Sequence, residues 1–166
     1  LYEGRIIARL IDKNTGKVKK EIDIANQISD EAFDVYFCYG YEGRSGAFNF
    51  DALYITLGND SEDVVPANDP KIGYSDISSY ILESKKISKT EAGENLLEYR
   101  CLYPTTSFAP PVADRSINLM ALWLTWDQSS WSPTQSLIGY KKLTEPIVQT
   151  TSDYLEVIYA LSAGVV

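Results

Sequence analysis

The chain of 166 residues contains no histidine. That absence removes Ser-His-Asp and Cys-His catalysis, an imidazole general base and His-ligated zinc. Cysteine is scarce as well: Cys38 and Cys101, with no C-x-x-C pair. A four-thiolate metal site is therefore out of reach. Each cysteine lies among apolar residues, as buried free thiols do in a reducing compartment. A single disulfide between them stays open, because sequence does not give their separation. No cofactor and no metal is expected.

Other absences narrow the function further. No charged-then-apolar leader opens the chain at Leu1-Tyr2-Glu3, and no apolar run is long enough to span a bilayer. The missing initiator Met leaves open whether residues precede Leu1. Basic charge is short, with 15 Lys and Arg against 23 Asp and Glu, a net charge of −8. Nucleic-acid binding needs a basic stripe. Here Lys17, Lys19 and Lys20 run straight into Glu21 and Asp23, which reads as a solvated hairpin. Direct nucleic-acid and membrane partners are not expected. The glycines of 40–46 follow a helical pattern, the wrong context for a Walker or Rossmann loop.

What is present is aromatic and strand-like. The chain has 12 Tyr, 5 Phe and 3 Trp. Tyrosine suits half-exposed strands, since its ring packs while its hydroxyl stays wet. Alternation marks Arg5–Asp12 and Val18–Ile24 as a hairpin around Asn14-Thr15-Gly16. Val18, Ile22 and Ile24 are assigned to one face. Ser29-Asp30-Glu31-Ala32 resembles a helix N-terminus, with Phe33, Tyr36 and Phe37 in one apolar stripe to about Tyr39. Further strands are expected at 50–57, 84–90, 96–103, 117–126, 136–142 and 153–161. The Ile117–Trp126 strand is apolar on both faces, hence central and covered. The expected fold is all-β, mainly an antiparallel β-sandwich with one short helix, in a single domain over 1–166. The hairpin of residues 2–25 is a candidate assembly arm, because its Lys/Glu face is polar and edge-like.

An ordered set of segments carries a resemblance. Asn26-Gln27-Ile28 precedes the helix; Tyr54-Ile55-Thr56-Leu57-Gly58-Asn59 follows; then come a Pro/Asp loop and further strands. Last are Leu143-Thr144-Glu145-Pro146-Ile147-Val148-Gln149-Thr150 and Tyr154 to Leu161. This layout, over roughly residues 26–162, resembles small virion proteins of tailed bacteriophages, of the tail-fibre, tail-tip, head-fibre or decoration type. Members show a "YIALG" strand and close with a "PI-x-K-T-x-x-D-x-L-x-V-x-Y-x-L" pair of segments. Gln149 stands where that pattern has lysine. The resemblance implies a non-enzymatic structural component of the virion, made in the host bacterial cytoplasm and present in multiple copies. It would serve as fibre or appendage, tail or neck adaptor, or capsid decoration protein. Its partners would be other virion proteins and copies of itself.

Two alternatives come from the residues alone. A receptor- or glycan-binding module could use Trp123, Trp126 and Trp131 with Asp127 and Gln128. The candidate interaction surface is Trp126, Asp127, Trp131 and Tyr140. Strand alternation sets Trp123 and Trp126 on opposite faces, and a packed or loop-pinning role is the more frequent fate of such rings. A carboxylate hydrolase would need an acid and a base about 5–10 Å apart. Asp60, Glu62, Asp63, Asp69 and Asp76 in the long 59–76 loop supply candidates, although such loops are usually solvated surface. No catalytic residue is assigned.

Overall fold

The computed structural model describes residues 2–33, 49–87, 89–91, 96–103, 114–127 and 134–163. The strands in chain order are β1 (Tyr2–Asp12), β2 (Val18–Ile28), β3 (Asn49–Gly58), β4 (Ile81–Lys86), β5 (Lys89–Glu91), β6 (Leu96–Tyr103), β7 (Arg115–Asp127), β8 (Thr134–Gln149) and β9 (Asp153–Ala163). One helical turn, α1 (Asp30–Phe33), follows β2, and a second, α2 (Tyr74–Ile77), precedes β4 through a 3₁₀ turn at Ser78–Tyr80. The helix expected as far as Tyr39 lies beyond Phe33 outside the described residues, as do Cys38, the 40–46 glycines and Trp131.

All pairings are antiparallel, in the order β4-β3-β7-β8-β2-β1-β9-β6-β5. The two ends of this order are separated by only residues 87 and 88. β4 and β5 therefore act as halves of one bent strand, and eight strands wrap into a nearly closed barrel. The expected sandwich is thus corrected to a barrel. Two strands pass around the corners and join what would otherwise be separate sheets. β4–β5 turns one corner. β2 turns the other, pairing with β1 over its first part and with β8 only at Gln27↔Tyr140 and Ile28↔Gly139.

A single core fills the barrel. Ile6, Ile55, Leu57, Tyr103, Ile117, Leu122, Leu155, Val157 and Tyr159 all point into it. Burying one Leu or Ile side chain contributes roughly 1.5–3 kcal/mol. A second cluster sits outside the wall, where Leu119, Ala121, Trp123, Leu137 and Tyr140 meet Val65 and Ile77. β7 is thus apolar on both faces because it is covered on both, as its sequence requires.

The hairpin forms as expected. Gly16 takes φ +70, and the Asp12 carboxylate accepts the N–H groups of Asn14 and Thr15. One face assignment fails. The register shifts so that Ile11 pairs with Val18 and Leu10 with Lys20, leaving Lys19 as an extra residue. This bulge turns Val18 out of the core face, and it is 45% exposed. The hairpin is part of the barrel wall. β1 is paired along both edges, and Ile6, Ala8 and Leu10 are core residues. Ser29 is the helix cap as read, its Oγ accepting the Glu31 N–H at 3.2 Å.

The closing run differs in detail. β8 continues through Pro146, and Leu143 to Pro146 have no register partner on β7. Proline falls where no ladder donor is needed. The reversal comes at Thr150–Asp153, where the Asp153 carboxylate accepts the Thr150 N–H and hydroxyl. β9 then runs between β1 and β6.

Candidate interaction surfaces

The 59–76 loop was the sequence's richest source of candidate carboxylates. It folds as a flap over the outer face of β7 and β8. A bulge in β7 at Asn118 starts the attachment. The Asn118 side chain accepts the Asp60 N–H at 2.7 Å and donates to the Asp60 carbonyl at 2.9 Å. The Asp60 carboxylate is buried and accepts the N–H groups of Val64 and Val65. From β8, the Lys142 ammonium donates to Asp60 Oδ2 at 2.8 Å, to Asp63, and to the Val65 carbonyl at 3.0 Å. Burial alone would push the Asp60 carboxyl up. The ammonium and the two N–H donors outweigh it and hold the carboxyl below its ordinary range. Burial would likewise lower Lys142, but its bonds to Asp60 and Asp63 raise it.

The remaining carboxylates are placed separately. Asp69 accepts the Lys71 N–H, and Asp76 accepts the Gly73 N–H. Glu62 is exposed. Asp60 and Asp63 share one turn, closed by the Asp63 N–H on the Asp60 carbonyl, and Lys142 bonds both carboxylates. Glu31, which sequence reading treated only as a first-turn acid, is a further fastener. Its Oε2 accepts the N–H groups of Tyr74 at 3.0 Å and Leu137 at 2.7 Å, tying α1, the flap and β8 together. The only sequence cue to this role was its place in the helix start.

Of the aromatic candidates, the side chains of Tyr140 and Trp123 are described. Tyr140 is fully buried, which corrects its place in an interaction surface. Its hydroxyl donates to the Pro66 carbonyl at 2.7 Å and accepts the Asp69 N–H at 3.0 Å, so the ring anchors the flap from below. Trp123 lies stacked on Tyr54 at 4.3 Å between ring centroids, with Tyr74 tilted against it at 4.7 Å. Its indole N–H donates to Thr56 Oγ1 at 2.5 Å. Trp126 and Asp127 end β7, with backbone partners Phe50 and Asn49 on β3. Trp131 lies outside the described residues.

Among the described residues, two surfaces remain open. The first is the corner where β2 leaves β8. From Val18 to Asn26, β2 has β1 on one side and no strand on the other among the described residues. Lys20 approaches Glu145 across this gap at 3.9 Å. Asn26 closes its apex: the side-chain amide donates to the Tyr159 hydroxyl inside the barrel. The second is the outer face of β1, β2 and β9. There Arg5 pairs with Asp23, and Arg9 with both Glu21 and Glu156. Exposed pairs of this kind contribute little to stability. Cys101 is a free, buried thiol on β6, and burial pushes it up to about 12. Among the described residues, no group of three or more Cys, Asp or Glu side chains is arranged to hold a metal ion. Compared with known protein families, curated proteins and solved structures, the chain has no match.

Proposed function

We propose that this protein is a structural component of a tailed-bacteriophage virion. It is made in the host cytoplasm and built into the particle in multiple copies as a fibre or appendage, a tail or neck adaptor, or a capsid decoration protein. The observation that carries this reading is the ordered layout from Asn26 to Leu161. Its segments also meet in space: Asn26 at the corner of β2 bonds Tyr159 of the closing strand, and both pack against Gly139 of β8.

The chemistry of the interior is in keeping with a scaffold. The buried charges Asp60, Lys142 and Asp153 are each spent on joining one chain segment to another. The raised Cys101 thiol is poorly suited to act as a nucleophile. Repetition of one module around a symmetry axis asks for a rigid body with reusable surface, and a barrel with an open corner offers both. Gold-labelled antibody against the chain, applied to intact particles of the phage that encodes it, tests the reading. Label at one repeated position supports it; particles that stay bare when intact and when disrupted refute it.

A further inference from the structure

We infer that the start of β2 in one copy binds the tip of the flap in a second copy. Two exposed surfaces of opposite charge each carry an exposed valine. On the hairpin, Val18 is turned outward by the bulge and is flanked by Lys17 and Lys19, with Lys20 beside them. On the flap, Val64 is 59% exposed and follows Glu62 and Asp63, whose side chain is 89% exposed. In a chain of net charge −8, this is one of the few short basic stretches, beside Lys85, Lys86 and Lys89 and the pair Lys141 and Lys142.

The intramolecular bonds engage Lys19, Lys20 and Asp63 but leave one charge on each surface. Lys17 and Glu62 have no ion pair with any described residue. Asp63 reaches Lys142 yet stays largely open to solvent. Lys19 turns toward Asp153 and Lys20 toward Glu145, which keeps the stretch ordered while Lys17 projects freely. The two surfaces lie on different parts of the wall. Lys17 and Val18 begin the half formed by β2, β1 and β9, and the flap covers β7 and β8. They are therefore available to different neighbours. Opposite charge around a small apolar centre is how interfaces combine steering with water exclusion.

This inference rests on the multi-copy part of the proposed function and not on its place in a virion. Sedimentation of the full chain at low and high salt tests it, with two charge reversals. The unaltered protein is expected to self-associate at low salt and to weaken as salt screens the contact. Lys17→Glu and Glu62→Lys should each weaken association about tenfold. The double variant, which restores opposite charge with the signs exchanged, should recover most of it. Both positions are exposed, and circular dichroism checks that each variant folds. A monomer at every concentration and salt, or association unmoved by either reversal, overturns the inference. Self-association of a protein missing from particles would instead refute the virion assignment alone.

Discussion

Lys142 and Asp60 form a buried ion pair, 2.8 Å from Nζ to Oδ2, that fastens the flap to β8. The two partners are not equivalent. Asp60 keeps two backbone donors if the lysine is lost, whereas Lys142 keeps only the exposed Asp63 and one carbonyl if the aspartate is lost. Removing one partner of a buried pair costs about 3–5 kcal/mol. Asp60→Ala should fall in that range, and Lys142→Met, which retains the apolar stem, should cost less. Urea unfolding of both variants checks the order.

The same groups set the pH dependence. Asp60 and Asp153 have folded pKa values below their unfolded ones. Their stabilisation is complete above the unfolded value of about 4 and is lost as pH falls through the lower folded value. Lys142 is raised, so its contribution is complete below about pH 10 and is lost as pH rises through the higher folded value. Thermal melts should be flat between these limits and fall on both sides. In Asp60→Asn, the acid limb should shrink but persist, because Asp153 remains.

Gly139 sits where β2 crosses to β8. A Cβ there would lie 2.3 Å from the Tyr159 hydroxyl and 2.7 Å from the Gln27 carbonyl. The carbonyl is backbone of the crossing strand and cannot step aside. Gly139→Ala should therefore cost about 1–3 kcal/mol or more by overpacking. At Gly16 the space is open and only the positive φ opposes a side chain, so Gly16→Ala should cost about 1–2 kcal/mol. Paired denaturant curves decide it.

Cys101 should not react with thiol reagents in the folded protein near pH 8. It is buried, and its thiol is pushed up to about 12. In a Cys38→Ser background, labelling should appear only on unfolding. Rapid labelling of the native variant would show that β6 opens readily.

The hairpin, the capped start of α1, the covered strand β7 and the closing strand β9 were legible in the sequence. Each rests on local alternation or on a capping residue, which need no knowledge of distant partners. The barrel was not legible, because it depends on two strands turning corners. Nothing local in Asn26-Gln27-Ile28 or around Ile87 says that pairing changes sheet there. Val18 was misplaced because a bulge shifts the pattern by one residue without leaving a mark in composition. Tyr140 was taken for surface since a tyrosine under a flap and one facing water look alike in sequence. The role of Asp60 was hidden for the same reason: its partner Lys142 lies 82 residues away.

The central claim is that the protein is built into the virion in many copies. Quantitative mass spectrometry of density-purified particles, scaled to the major capsid protein, measures this directly. The account predicts the chain in intact particles at a fixed multiple-copy ratio that survives repeated purification. Its absence from purified particles, while it is abundant in infected-cell lysate, would contradict the account.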